Sequence, residues 1–387
     1  MHSKLKESKS TRVFLVRHGQ STYNALGLYQ GSSNESVLTE AGINDARLTG
    51  NYLRGFSFDA IYSSSLNRAY NTAEEILKVI APLLSETIGV SDKLRETDML
   101  AWQGLAFKYV RENFPQDYRT WKQRPQEFSM KVEGVSKVGD FFYPALDLYK
   151  RVQEFWQEIL PRHLGQTLLL VTHGGTNRAL ISTATGIKPQ HYHCIQQSNC
   201  GISILEFADG SLESGRLKAM NLTSHVGDNL PKLQQGNEGV NLLLVTSGDK
   251  LHEVHSITRI IRGINLDFSI IEHCNNSYYT AQQILQYHPT TRGMPVVSQE
   301  FLSVCEQKIA NSNKKQLSTG LVVAEVETIA RLIAQVLGKN LQEVDWLELQ
   351  PGAISCIHYS SNEYPPQLQV MNLNLEESQK LTVKSYS

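Results

Sequence analysis

Two apolar runs in this chain end in residues that could do chemistry. The stretch 13–24, VFLVRHGQSTYN, runs from Val13 to Val16 and then delivers Arg17, His18 and Gly19. The stretch 167–173, TLLLVTH, ends in His173 and is followed by Gly174. Arg68 lies at the start of the helical pattern LNRAYNTAEEILKVIAPLL. Two guanidiniums and two imidazoles brought to one end of a sheet would suit a multiply charged, oxygen-rich anion, of which phosphate is the commonest. A guanidinium grips such an anion with two parallel N–H bonds. An imidazole beside a bound phosphoryl group can attack phosphorus and become a phosphohistidine. The arginines would then hold the charge that the loose transition state spreads over three oxygens. The departing alkoxide needs a proton, and Glu96 in KLRETDMLAWQGL (93–105) is the candidate donor, with Asp98 and Glu112 as competitors. This scheme uses no metal and no cofactor, and no Asp/His cluster has metal-ligand spacing. The run HYHC (191–194) lacks partner ligands.

The elements that must position these groups read as an α/β sheet. Buried strands are expected at 12–16, 58–64, 167–173 and 201–207, with amphipathic helices at 38–55 and 66–84 between them. In the second helix Ala69, Ala73, Ile76, Leu77 and Ile80 fall on one face. Strands alternating with helices imply helices on both faces of the sheet. Ligands of such sheets bind beyond the carboxyl ends of the strands, where Arg17 and His18 stand. Helices starting near Ser21 and Thr176 would add backbone N–H donors. The glycine after each histidine would let backbone approach the ligand.

The chain also resembles itself. NLLLVTSGDK (241–250) matches VFLVRHGQS, and INLDFSIIEHCNNSYYTAQQIL (264–285) matches FSFDAIYSSSLNRAYNTAEEIL (56–77). GLVVAEVETIARLIAQVLG (320–338) matches TLLLVTHGGTNRALISTATG (167–186), and GAISCIHY matches CGISILEF. The matches occur in one order, which implies two copies of one unit joined by a Gly-, Pro-, Asn- and Gln-bearing linker at 225–240. The second copy carries Thr246 and Ser247 for Arg17 and His18, Asn276 for Arg68, and Glu325 for His173. The unit therefore folds without the four residues, and their role in the first copy is chemical. Domains are expected at 1–228 and 229–387.

The totals agree with an ordinary globular chain. It has 387 residues, 41% hydrophobic and 19% charged, and a net charge of −1. That balance gives no reason to expect nucleic acid or an acidic membrane surface as a partner. Five cysteines without ligand spacing read as reduced thiols, and the polar N-terminus MHSKLKESKSTR has no secretory core. A cytoplasmic location is the expectation. The segment 104–145 is rich in Lys108, Arg111, Arg119, Lys122 and Arg124, and reads either as a solvated helical face or as a lid that charges the pocket for a carboxylate or second phosphate. Trp102 and Trp121 read as packing residues, and His163, His191 and His193 as structural or surface residues.

The motifs LVRHGQSTYN, SSSLNRAYNTAE, LRETDMLAWQG and VTHGG, in this order, resemble the histidine phosphatase, or phosphoglycerate mutase-like, superfamily over roughly 12–222. The resemblance implies a three-layer α/β sandwich, present here twice, the second time degenerate. It makes His18 the phosphorylated nucleophile, Arg17, Arg68 and His173 the phosphoryl-holding residues, and Glu96 the proton donor. Asn24, Gln30, Gly31 and Gly174 would join the substrate site, whereas Asn34 stands where many members have Asp. YQGSSNESVLTEAG (29–42) and QSNCGISILEF (197–207) are most similar to the branch of 2-carboxy-D-arabinitol-1-phosphate phosphatases from plants and their cyanobacterial relatives, which also carry a second, reduced domain.

The implied activity is metal-independent hydrolysis of a small acidic phosphomonoester. The basic, proline-rich insertion of the family's mutases is missing, which favours hydrolysis over mutase chemistry. Phosphoserine and phosphoglycerate remain alternative substrates, and a non-enzymatic metabolite-binding protein is the rival of another class. The second domain could cover the site, mediate homodimerisation or sense a metabolite.

Overall fold

The structure is a computed structural model that describes residues 10–81, 87–131, 141–248, 251–313, 315–360 and 364–374. The basic stretch before residue 10, the last residues of the expected helix 66–84 and the middle of the 104–145 segment lie outside these.

The strands of the first half are β1 (Thr11–Arg17), β2 (Ala60–Ser64), β3 (Ile88–Ser91), the small pair β4 (Met130–Lys131) and β5 (Phe141–Phe142), β6 (Thr167–Thr172), β7 (Ile202–Phe207) and β8 (Gly215–Leu222). The second half supplies β9 (Gly239–Thr246), β10 (Phe268–Glu272), β11 (Gly293–Val296), β12 (Leu317–Ala324), β13 (Ile354–Tyr359) and β14 (Gln367–Leu373). Apart from β4 and β5, all of them form one twelve-stranded sheet in the order β11-β10-β12-β9-β13-β14-β8-β7-β1-β6-β2-β3. Counted outward from the centre, the first half runs 8-7-1-6-2-3 and the second 14-13-9-12-10-11, the same path in each.

The halves meet edge to edge, with Met371 opposite Met220 on antiparallel strands. Two asparagines in left-handed backbone conformation, Asn221 and Asn372, reach across this seam. Asn221 Nδ2 donates to Gln369 O at 2.7 Å, and Asn372 Nδ2 to Lys218 O at 2.6 Å.

The helices are α1 (Thr22–Leu26), α2 (Glu40–Leu53), α3 (Asn67–Ile80), α4 (Phe107–Asn113), α5 (Pro115–Gln123), α6 (Pro144–Ile159), α7 (Gly174–Thr185), α8 (Leu251–Ile261), α9 (Asn275–Leu285), α10 (Phe301–Ala310) and α11 (Val326–Val336). Alternation along β1 shows why its run is apolar throughout. Val13 and Leu15 pack in the layer that holds α6, α7 and α11, while Phe14 and Val16 pack against α2 and α3. A strand covered on both faces has no polar side to show. Each of these four side chains is fully buried, a contribution of roughly 1.5–3 kcal/mol apiece. The result is three layers, helix on sheet on helix.

Pairing fixes the site's position. β1 runs parallel to β6, with Arg17 opposite Thr172, and β6 runs parallel to β2. Their carboxyl ends therefore open on the same edge of the sheet. The expected strands and helices are present with ends moved by one or two residues, save that α3 ends at Ile80 rather than at 84 and α7 starts at Gly174 rather than near Thr176, with His173 as its N-cap.

Candidate active site

His18 follows the last residue of β1, and its backbone N–H donates to Thr172 O at 2.8 Å, so the chain is still pinned to β6 where the imidazole projects. The ring Nδ1 lies 2.7 Å from Gly19 O. A carbonyl only accepts, so Nδ1 carries the hydrogen and Nε2 keeps the lone pair. His173 stands with its ring centroid 5.2 Å away, edge to face. Its Nε2 meets Ser64 Oγ at 2.8 Å, at the end of β2, and its Nδ1 has no hydrogen-bond partner. Ser64 was not singled out in the sequence. It is a small hydroxyl in a run of three serines, and only the parallel pairing of β2 with β6 brings it to His173.

Arg68, on the first turn of α3, is fully buried. Its Nη1 donates to Ser33 O at 2.7 Å and its Nη2 to Gly31 O at 2.8 Å. Arg17 Nη1 donates to Gln197 O at 2.8 Å. The Nε–H of each arginine lacks a partner within the protein. Three buried donors, two Nε–H groups and the His173 Nδ1 edge, are thus left for an anion with several oxygens. Burial lowers both guanidiniums to about 10. Burial, with the Arg68 and Arg17 charges nearby, also holds His18 and His173 well below the ordinary 6.5. Both imidazoles are therefore neutral at neutral pH, and a neutral His18 is a nucleophile without prior deprotonation.

Glu96 sits at the start of α7. Its Oε1 accepts from the backbone N–H of Thr97 at 2.8 Å and of Thr176 at 3.1 Å, and Oε2 accepts from Gly175 N at 3.0 Å. The α7 amides expected to face a phosphate thus hold the Glu96 side chain. Gly175 permits this, because a Cβ there would come within 2.3 Å of Glu96 Oε1. Arg151 of α6 anchors the same loop by donating to Arg95 O at 2.7 Å and Glu96 O at 3.2 Å. The two competing acids lie elsewhere in the network. Glu112 is exposed and 3.9 Å from Lys108, and Asp98 faces Arg95 at 3.6 Å.

Asn24 accepts at Oδ1 from Ser21 Oγ at 3.1 Å and Asn199 Nδ2 at 3.1 Å, which turns its own amide N–H₂ to other partners. Gln30 Oε1 accepts from Ser21 Oγ and Ser36 Oγ. Asn34 Oδ1 accepts from Asn67 N at 2.8 Å and so caps α3, the helix that carries Arg68. Gly19 serves a purpose other than ligand access. A Cβ there would stand 2.3 Å from Gly42 O, so the glycine lets the loop after His18 lie directly on α2. Gly174 does lie against Arg17, whose Nε would be 3.3 Å from a Cβ.

These residues border a cavity of about 620 Å³. Arg17, Asn24, Gln30, Gly31, Glu96 and Gly174 line it, whereas His18, Arg68 and His173 are buried and are not among its lining residues. Of the five basic residues singled out in 104–145, Arg111 and Lys122 reach the wall. Lys108 pairs with Glu112, Arg124 pairs with Glu127 at 2.7 Å, and Arg119 does not line it. Trp102 belongs to the core, while Trp121 is both core and wall. His163 bridges Tyr62 OH and Gln166 Oε1, a structural role. His193 is a wall residue, where a structural or surface position was expected. The expected linker also does more than connect, since Gln234, Gln235 and Gly236 form part of the wall with Tyr364 and Gln367 from the second half. Among the described residues no three His, Cys, Asp or Glu side chains converge as a metal site would need, and no helix is long and apolar enough to cross a membrane.

Comparison with known proteins agrees with this architecture. Residues 13–222 match the model of the histidine phosphatase superfamily (branch 1). The chain is 38% identical over 215 residues to a probable 2-carboxy-D-arabinitol-1-phosphatase of Arabidopsis thaliana, and 36% identical over 200 residues to the 2-carboxy-D-arabinitol-1-phosphatase of Triticum aestivum. These matches cover 55% and 52% of this chain, but only 42% and 38% of the plant proteins. It is also 29% identical over 217 residues to phosphoserine phosphatase 1 of Hydrogenobacter thermophilus, a match covering 56% of this chain and 95% of that one. With the family model spanning more than half of its length, the chain belongs to the histidine phosphatase superfamily.

Proposed function

We propose that the protein hydrolyses a small acidic phosphomonoester through a phosphohistidine, without a metal. The observation that carries the reading is His18, neutral and oriented by Gly19 O, with its Nε2 lone pair free beside Arg17, Arg68 and His173. In the first step Nε2 attacks phosphorus and the ester P–O bond breaks. The departing oxygen takes a proton from Glu96, which enters this step as the carboxylic acid with its proton on Oε2, the oxygen that accepts only one backbone bond, and leaves it as the carboxylate. Arg17, Arg68 and His173 hold the three equatorial oxygens. In the second step water gives its proton back to Glu96 and attacks phosphorus, the N–P bond breaks, and inorganic phosphate leaves.

Sugar-acid phosphates, with 2-carboxy-D-arabinitol 1-phosphate first, are the leading substrates, because the plant relatives carry that name and the cavity wall is basic. Phosphoserine is the alternative suggested by the bacterial relative. We infer further that 229–387 is a degenerate copy of 1–228. The shared strand path supports this, as do paired details. Gly19 N donates to Thr72 Oγ1 and Gly248 N to Thr280 Oγ1, and Thr167 N donates to Asp59 as Thr319 N does to Asp267. In the second half the buried Glu272 ends β10 as Ser64 ends β2, and it accepts from Glu325 N and Thr328 Oγ1 at the start of α11.

The test is phosphate release from a panel of acidic phosphomonoesters in EDTA, with His18→Ala beside the wild type. Release that vanishes in the variant is expected. Full activity in His18→Ala would overturn the mechanism, and isomer formation that needs a bisphosphate primer would make the protein a mutase.

A further inference from the structure

The far end of the cavity contains a cationic cluster that the phosphoryl chemistry does not use. Lys122 of α5 and Arg178 of α7 both line the wall there. Arg178 Nε donates to Ile195 O at 2.7 Å and its guanidinium lies 5.5 Å from the Tyr192 ring centroid. The Lys122 ammonium lies 5.6 Å from the Tyr118 ring centroid. Among the described residues neither cation forms an ion pair with a carboxylate. Burial and the nearby Arg178 charge lower Lys122 to about 8. Both cations are half-buried, and two like charges held close in a cavity wall repel, which an anion between them relieves.

Two further groups at this end are unsatisfied. His193 and Gln367 are 3% and 4% exposed and line the same wall. His193 Nε2 and Gln367 Oε1 have no hydrogen-bond partner. Gln367 Nε2 donates to His193 O at 3.0 Å, which fixes its Oε1 as the free acceptor. Gln367 comes from β14, and Tyr364 OH meets Tyr118 OH at 3.3 Å beside it, so the second half closes this end. Arg178 stands four residues into α7 from Gly174, or about 6 Å along the axis, within the span of a three- to six-carbon metabolite.

We propose that Lys122 and Arg178 form a second subsite that binds the carboxylate of a phosphorylated hydroxy acid, with Gln367 Oε1 accepting from a substrate hydroxyl. The subsite rests on the phosphatase reading only for its substrate, so it is tested by binding. The ligands are 3-phosphoglycerate and glycerol 3-phosphate, which differ in one carboxylate. Both are titrated by calorimetry into the full chain carrying His18→Ala, which cannot turn them over. The carboxylated ligand is expected to bind 10- to 100-fold more tightly. Adding Lys122→Met should remove at least ten-fold of that preference, and Lys122→Arg should restore it. Equal affinity for the two ligands would overturn the subsite, as would a preference that survives Lys122→Met. Failure of the phosphatase reading would show separately, as no phosphate release from p-nitrophenyl phosphate by the wild-type chain.

Discussion

Ser64→Ala tests whether the second imidazole is held for catalysis. Ser64 Oγ and His173 Nε2 are 2.8 Å apart, and both residues are fully buried. To hold a phosphoryl oxygen, His173 must present a hydrogen at Nδ1, so Ser64 must be the donor to Nε2. Removing the hydroxyl loses a hydrogen bond and leaves Nε2 buried without a partner, a combined loss of about 1–3 kcal/mol. It also frees the other tautomer, which would point a lone pair at the phosphate. If that loss falls on the transition state, kcat/KM drops by roughly 5- to 150-fold, since 1.4 kcal/mol is about tenfold. Steady-state kinetics with a phosphomonoester substrate read this directly, together with the inhibition constant of vanadate, whose binding should weaken in parallel. A thermal melt checks that the fold survives. Kinetics and vanadate affinity within twofold of wild type, in a folded variant, would refute the role given to Ser64 and the tautomer argument with it.

Three more outcomes follow from the same geometry. Glu96→Gln should slow hydrolysis of alkyl phosphates by about 10²- to 10⁴-fold, the usual range for a general acid, and spare p-nitrophenyl phosphate, whose leaving group needs no proton. An equal loss on both would remove Glu96 as the donor. Gly42→Ala, whose Cβ would stand 2.1 Å from Gln20 O, should destabilise the fold by about 1–3 kcal/mol in a urea titration. Unchanged stability would show that the loop and α2 can part without loss. His18, His173 and His193 all have pKa values held below the ordinary 6.5 by burial first, so the unfolded chain takes up protons that the folded chain refuses. Their contribution to stability is complete above 6.5 and is lost as pH falls below it, and the urea midpoint should be lower at pH 5.5 than at 7.5.

Much of this site could be read from residue order because the chemistry is concentrated at element ends. Arg17, His18 and His173 terminate apolar runs, and a chain covered on both faces must release its polar residues where the sheet stops. The two halves keep strand residues and differ where charge converges, with Thr246 and Ser247 for Arg17 and His18 and Glu325 for His173. Other contacts left no local mark. Ser64 acts across the sheet, Arg151 reaches the Glu96 loop from a helix fifty-five residues on, and His193 is a wall residue only because α5 packs over it. Gly19 fitted a general rule about ligand access, but its reason is a carbonyl on α2 that no sequence pattern announces. The residues 234–236 looked like a connector by composition, and composition does not say what a connector passes over.

The seam between the halves has a consequence for how the molecule behaves at low concentration. In an enzyme whose pocket is completed by a partner subunit, dilution separates the partners and the specific activity falls. Here the wall from Gln234 to Gln367 is joined to Arg17 and His173 by a continuous chain and one hydrogen-bonded sheet. The closing segment is always present at the effective concentration set by that tether, whatever the protein concentration outside. Each molecule therefore brings the 234–236, Tyr364 and Gln367 part of the wall with it, and dilution does not remove that part.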